Sequence, residues 1–85
     1  MNVQTTRPFD RDYARLPNNI KVRVDKQLAL LLENPLHPSL QLKRIRGTDD
    51  IWEARITGSH RMTLSVVGET YILRRVGAHD VLRQP

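Results

Sequence analysis

The chain has 85 residues and no cysteine, so we expect one domain, residues 1–85, without disulfides, thiolate metal ligands or a cysteine nucleophile. Its formal charge is +5 and 11 of its 14 basic residues are arginine, which indicates either a polyanionic partner or simply a basic, soluble surface. No apolar stretch approaches the roughly 20 residues of a membrane span, and the first residues lack the apolar segment of a secretory signal. We therefore expect a cytoplasmic protein with no membrane partner.

Residues 1–36 have the pattern of two helices, and residues 2–5 could form a first strand before them. The first helix is predicted to begin near Pro8 and to end at Pro17, because proline suits a first helical turn and interrupts a helix further along. Its buried side follows the spacing of one helical face and is predicted to consist of Phe9, Tyr13 and Leu16.

The second predicted helix begins at Asn18 or Asn19, both suitable N-caps, and ends at Asn34-Pro35, because a residue before proline avoids the helical region. One apolar stripe runs along it: Ile20, Val24, Leu28 and Leu31. Further apolar residues widen that face: Val22, Ala29, Leu30 and Leu32. We interpret the wide face as mostly core, with part of it open to a partner segment.

Residues 37–79 have the pattern of strands and turns. A short strand is predicted around residues 42–46, and longer ones at 51–57, 61–67 and 70–76, with alternating apolar and polar residues in the middle two. The alternation places four residues on the helix-covered face: Trp52, Met62, Leu64 and Val66. The predicted fold class is α+β, with two N-terminal helices packed on one face of a three- to five-stranded, mainly antiparallel sheet.

The opposite face of this sheet is predicted to be polar and uncovered. Alternation brings together Glu53, Arg55, Arg61, Thr63 and Ser65. Neighbouring strands add Arg44, Arg46, Arg74 and Arg75. Such a face suits the binding of phosphate, and the alternative is a solvated face held by cross-strand ion pairs such as Glu53 with an arginine.

The order of the elements and three segments, NPLHPSLQLKRIRG, DIWEARITGSHRMTLSV and ILRRVGAHDVL, resemble the RelE/ParE toxin superfamily of bacterial toxin–antitoxin systems over about residues 7–82. The resemblance implies a RelE-like fold and, for the RelE branch, cleavage of messenger RNA in the ribosomal A site. Such toxins use neither a metal nor a cofactor. They activate a ribose 2′-hydroxyl to attack the adjacent phosphate, and they are held inactive by a cognate antitoxin protein.

The resemblance also assigns roles to residues. Arg61 matches the arginine that stabilises the charged phosphorane, Arg55 a basic residue that holds phosphate, and His79 a position taken by arginine or histidine. Glu53 stands where the best-known branch has lysine, and it could act as a base or pair with an arginine. Residues expected to contact RNA are Lys43, Arg44, Arg46, His60 and Arg74.

This chain departs from the RelE branch in having no tyrosine after the last strand. Relatives that use histidine instead, the YafQ-like toxins, make His79 the favoured acid–base group, with His37 and His60 as further candidates or as plain turn residues. The three histidines lack the spacing of a metal site. Two alternative functions remain: a ParE-like toxin that poisons DNA gyrase by binding it, since VGAHD is close to the V-x-H-G-R ending of that branch, or a weakened homologue that only binds its antitoxin.

Overall fold

The computed structural model describes residues 1–85 and contains a five-stranded sheet with two α-helices on one face. The helices are α1 (Arg7–Ala14) and α2 (Asn18–Glu33). The strands are β1 (Asn2–Thr5), β2 (Lys43–Arg44), β3 (Ile51–Arg55), β4 (His60–Val67) and β5 (Thr70–Ala78). Two 3₁₀ helices, Pro38–Leu40 and His79–Arg83, complete the chain. No helix combines the length and apolar character that crossing a membrane requires.

The strand order in the sheet is β1-β5-β4-β3-β2. Strands β2 to β5 form an antiparallel meander, whereas the edge strand β1 pairs with β5 in parallel. The predicted α+β class and mainly antiparallel sheet are confirmed, including the strand at residues 2–5. Because β1 stops at Thr5, it pairs only with the first half of β5, and α1 lies beside the second half.

The N-terminus of α1 is fixed by a residue that the sequence analysis did not single out. The Thr6 hydroxyl accepts a hydrogen bond from the Phe9 amide and donates one to the Leu73 carbonyl oxygen at 2.8 Å, so one side chain caps the helix and ties it to β5. The Tyr13 hydroxyl donates to Asp25 on α2, and this hydrogen bond raises the pKa of the phenol.

The core lies between the helices and the sheet. Its largest buried side chains include Val24, Leu31, Leu40, Ile56, Met62, Leu64, Leu73 and Val76. The predicted inward face is confirmed for Met62 and Leu64 and is wrong for Val66, which is 45% exposed beyond the reach of the helices. Trp52 is half-buried and packs against the core.

One prediction about α2 is wrong. Pro17 rather than an asparagine occupies the N-cap, and no side chain caps this end. The wide apolar face is core in part, with Val24 and Leu31 fully buried, and it leaves Val22, 66% exposed, and Leu32 open to solvent. Gln27 is buried instead, where its amide donates to the carbonyl oxygens of Arg55 at 2.8 Å and of Ser39 at 3.3 Å. This glutamine joins the helix to the end of β3.

The polar sheet face is not uncovered as predicted, because the C-terminal segment, residues 79–85, folds back over it. Val81 is buried against β5, and its Cγ1 lies 3.0 Å from the point where a Cβ on Gly77 would be. The main-chain oxygen of Pro85 accepts hydrogen bonds from Thr63 Oγ1 and Arg74 Nε, both at 3.1 Å. Thr63 is fully buried as a result.

Candidate phosphate-binding site

The strand register brings two arginines together at the end of the polar face. Arg55 on β3 lies opposite Arg61 on β4, and Arg61 lies opposite Gly77 on β5. Neighbouring strands are about 4.8 Å apart, so these three positions form one short row across the sheet. The Arg55 side chain has no ion-pair partner, which leaves it free to bind an anion.

Arg61 is held more tightly than its place on a polar face suggests. Its Nη1 donates to the carbonyl oxygens of Thr57 at 2.6 Å and His60 at 2.9 Å, and its side chain is only 14% exposed. These bonds fasten the turn between β3 and β4. Nη2 has no hydrogen-bond partner in the chain, so one edge of the guanidinium can still donate to an anion.

Glu53 lies two residues before Arg55 and is buried between two cations. Its Oε1 is 3.9 Å from Arg61 Nε and 4.0 Å from Lys43 Nζ. Across the strand pair it faces the buried Thr63. Of the two roles predicted for Glu53, pairing with an arginine is the one that these contacts describe, and the partner is Arg61 rather than Arg55.

Two histidines lie at the same end of the sheet as the arginine row. His60 pairs with Ala78, and His79 follows at the first position of the C-terminal 3₁₀ helix. The His79 side chain is exposed and forms no hydrogen bond with another residue, so its imidazole is available to solvent and to a ligand. His60 is half-buried, with Nδ1 3.1 Å from the hydroxyls of both Thr57 and Ser59, and alternation turns it away from the face of Arg61.

His37 lies apart from this pair and has a structural contact. Its Nδ1 accepts a hydrogen bond from the amide of Ser39 and lies 2.9 Å from the Ser39 hydroxyl, which caps the 3₁₀ helix Pro38–Leu40. The three histidines therefore do not converge, and no group of three or more His, Cys, Asp or Glu residues could hold a metal ion.

The basic residues around β2 divide between the two sheet faces, contrary to the prediction that they share the polar one. Lys43 pairs with Glu53 and lies on the polar face, whereas Arg44 pairs with Trp52 and lies on the other. The Arg44 guanidinium lies 5.2 Å from the centre of the Trp52 ring and 3.3 Å from Asp50. The strand is shorter than predicted, so Arg46 lies outside it and is exposed.

A bulge in β5 sets the positions of the last two arginines. Thr63 pairs with Arg75 and Leu64 with Leu73, so Arg74 has no partner residue on β4. Arg74 donates to Pro85, whereas Arg75 turns to α1, where its Nε is 2.6 Å and its Nη2 3.2 Å from the Asp12 carboxylate. This hydrogen-bonded pair raises the pKa of Arg75. No sequence pattern pairs Asp12 with Arg75, because the two residues are 63 positions apart.

Solved structures share this fold along nearly the whole chain. YafQ from E. coli strain BL21(DE3) superposes with a TM-score of 0.79 at 14% identity, covering 95% of this chain and 96% of that one. A YoeB/ParE toxin from Agrobacterium tumefaciens gives 0.79 at 19% identity, with 93% and 99% covered. The RelB-RelE antitoxin-toxin complex from Methanococcus jannaschii gives 0.74 at 25% identity, with 94% of each chain covered. The chain has the RelE-like fold.

The resemblance found in the sequence is thereby confirmed as a likeness of fold. No protein-family model matches the sequence, and no curated protein matches it. Within the RelE-like fold of this chain, Arg55, Arg61 and His79 lie at one end of the sheet, and no surface concavity encloses them. An open site with Arg55, Arg61 and His79 can neutralise a phosphate and exchange a proton with it.

Proposed function

We propose that the chain is the toxin of a type II toxin–antitoxin system and cleaves messenger RNA on the ribosome. The observation that supports this proposal most directly is the row of Arg55 and Arg61 beside the exposed His79. Two arginines with donors to spare can bind one phosphodiester, because the planar guanidinium matches the geometry of phosphate oxygens. The similar RelE fold has been seen in an antitoxin–toxin complex, which supports an antitoxin as partner.

In the proposed reaction the ribose 2′-oxygen attacks the adjacent phosphorus and the bond to the 5′-oxygen breaks. The products are a 2′,3′-cyclic phosphate and a 5′-hydroxyl. Arg55 and the free Nη2 of Arg61 stabilise the negative charge that develops on the phosphorane. His79 carries the proton transfer, because imidazole is a common general acid and base and this one is exposed.

Glu53 has a positioning role in this proposal. A carboxylate that is buried between Lys43 and Arg61 has little access to a ribose hydroxyl, whereas it can orient the guanidinium of Arg61. Lys43, on the same sheet face as the arginine row, extends the RNA contacts. Arg46 lies beside the start of β3, at the other end of the sheet, and His60 faces away from Arg61, so neither adjoins the row. Arg74, which Pro85 holds, would contact RNA beside the row, whereas Arg44 lies over Trp52 on the opposite sheet face and takes no part in this surface.

Because the site is open, it favours an RNA substrate that a second macromolecule holds in place. None of the surface concavities is lined by Arg55, Arg61 or His79, so the chain offers no cleft that would bend an RNA strand by itself. In-line attack by a 2′-oxygen needs such bending, because the reacting atoms must first be aligned. A ribosome that presents the strand supplies that alignment.

A cell-free translation extract with one defined mRNA tests the proposal. We expect cuts within the translated region that appear only when ribosomes are loaded and that carry 2′,3′-cyclic phosphate ends. Purified DNA gyrase with supercoiled plasmid provides the competing test. Cleaved DNA complexes with an intact mRNA would identify a ParE-like gyrase poison, and neither effect would identify a chain that only binds an antitoxin.

A further inference from the structure

A second basic surface lies on α1 and takes no part in the site above. Arg7, Arg11 and Arg15 recur every four residues, so they lie on one side of the helix, about 6 Å apart along its axis. All three are exposed, and none forms an ion pair. We call these three residues the α1 arginine stripe.

The acidic residues of α1 leave the charge of this stripe uncompensated. The oxygens of Asp12 are occupied by Arg75 and by the Val76 amide, which donates to Oδ2 at 3.2 Å. Asp10 lies on another side of the helix, where it lines a concavity with Tyr13 and Asp25. The stripe therefore presents three guanidinium groups with all their donors free.

A concavity of about 240 Å³ lies directly beside the stripe. Its lining consists of Pro8, Arg11, Asp12, Arg15 and Arg75. Three arginines thus surround a space in which the single carboxylate is already neutralised. Such a space suits a group with several oxygen acceptors and a negative charge, because each arginine presents a rigid fork of donors.

The position of α1 relates this concavity to the candidate site. The helix runs beside the half of β5 that β1 leaves unpaired: Thr6 contacts Leu73 and Asp12 contacts Val76. The stripe therefore runs toward the end of β5 where Gly77 faces Arg61. A phosphate chain bound at Arg55 and Arg61 could continue along α1, passing the exposed carboxylate of Asp80, which lies near Arg75.

We propose that the α1 arginine stripe binds the phosphate backbone of an RNA strand on one side of the cutting point. This inference rests on the proposed function, because it takes RNA as the substrate. Regular spacing of three unpaired arginines suits successive phosphates of a strand. An acidic peptide is the competing occupant, and it would not need continuity with the arginine row.

The test uses a short 2′-O-methyl RNA, which lacks the attacking hydroxyl, so binding is measured without cutting. We expect the double variant Arg11→Gln/Arg15→Gln to bind this RNA about tenfold more weakly at 0.1 M salt, and the slope of log K against log salt to fall by about 1.4, since each phosphate contact on a single strand contributes about 0.7. The control Lys21→Gln/Lys26→Gln removes the same charge from α2 and should leave the slope unchanged. Circular dichroism confirms that both variants fold.

Equal binding by the stripe variant and the wild type, or equal losses in both double variants, would overturn the inference. Weakened binding of a poly-glutamate peptide with unchanged binding of RNA would overturn it too, in favour of a protein-docking surface. The outcome is separable from that of the proposed function. A chain that binds RNA through the stripe but never cuts mRNA contradicts only the proposed function, and a chain that cuts mRNA while the stripe variant binds normally contradicts only this inference.

Discussion

At the residue scale, the guanidinium of Arg61 has a structural contact on one edge and a free edge on the other. Nη1 holds the carbonyl oxygens of Thr57 and His60, and Nη2 faces no acceptor. Arg55, directly opposite, makes no such bonds. Both arginines place charge at the site, but only Arg61 also holds the turn. A comparison of variants at the two positions therefore separates the effect of the charge from the effect on the turn.

We expect Arg61→Ala to lower the free energy of unfolding by about 1–3 kcal/mol, because two carbonyl groups lose a charged donor. Arg55→Ala should change it by about 0.5 kcal/mol or less, as for other surface substitutions. Both variants should cut mRNA roughly 10²–10³-fold more slowly, since each loses a cation at the phosphate. Urea denaturation and single-turnover cleavage measure the two quantities. A stable Arg61→Ala variant would mean that Arg61 does not hold the turn.

The proton-transfer role proposed for His79 predicts a larger loss of cleavage rate than the positioning role proposed for Glu53. His79→Gln should slow cleavage by about 10²–10⁴-fold, the usual contribution of general acid–base catalysis, without changing stability, because His79 is exposed and unbonded. Glu53→Gln keeps the side-chain volume and should cost about tenfold at most, by loosening Arg61. The reverse order of the two losses would identify Glu53 as the base.

At the scale of elements, the C-terminal 3₁₀ helix depends on a close approach to β5. Val81 contacts the sheet at Gly77, where a Cβ would lie 3.0 Å from Val81 Cγ1. Glycine allows this approach because it has no side chain, not because of an unusual backbone angle. The same docking fixes the start of the helix, where His79 lies, and leads the chain to the bonds between Pro85 and Thr63.

We expect Gly77→Val to destabilise the protein by roughly 1–3 kcal/mol, as overpacking does, and to speed amide exchange in residues 79–83. Val81→Ala in the same chain makes room, so the double variant should recover at least about 0.5 kcal/mol relative to the sum of the single changes. Urea denaturation of all four chains gives this coupling. Strictly additive costs would show that the two side chains do not meet.

At the scale of the whole molecule, each sheet face is covered by another part of the chain, and the candidate site lies at the end of the sheet that the C-terminal segment leaves open. The helices cover one face and residues 79–85 cover the middle of the other. Arg55, Arg61 and His79 remain at the turn end of the sheet, and the α1 arginine stripe lies at its edge. A chain with a net charge of +5 thus presents positive charge to a partner at these two places.

Induced expression in a bacterial host should stop growth and the incorporation of labelled amino acids into protein. The His79→Gln chain, expressed to the same level, should do neither, because it keeps the fold and the charge at Arg55 and Arg61 but cannot exchange the proton. Growth arrest with normal protein synthesis and broken DNA would instead favour a gyrase poison. Unaffected growth with the wild-type chain would contradict an active toxin.

Much of the fold and part of the site could be predicted from local patterns in the sequence. The prolines at 8, 17 and 35 mark the helix boundaries to within a few residues, because proline fixes its own backbone angle φ and disfavours the helical conformation in the residue before it. Period-two alternation placed Glu53, Arg55 and Arg61 on one face, and the register confirms it. These features depend on neighbours within a few residues, so a sequence determines them without knowledge of the packing.

Only the tertiary structure decided which of those side chains are free. Asp12 binds Arg75 across 63 residues of sequence, and Thr63 meets Pro85 across 22. Gln27 is buried because two carbonyl groups from separate segments converge on its amide. No local pattern predicts such contacts, since they require parts of the chain that are distant in sequence to meet. The sequence by itself determined the strands of the sheet and which arginines lie on its polar face. Long-range packing decided that the C-terminal segment covers that face and leaves Arg55, His79 and one edge of Arg61 open.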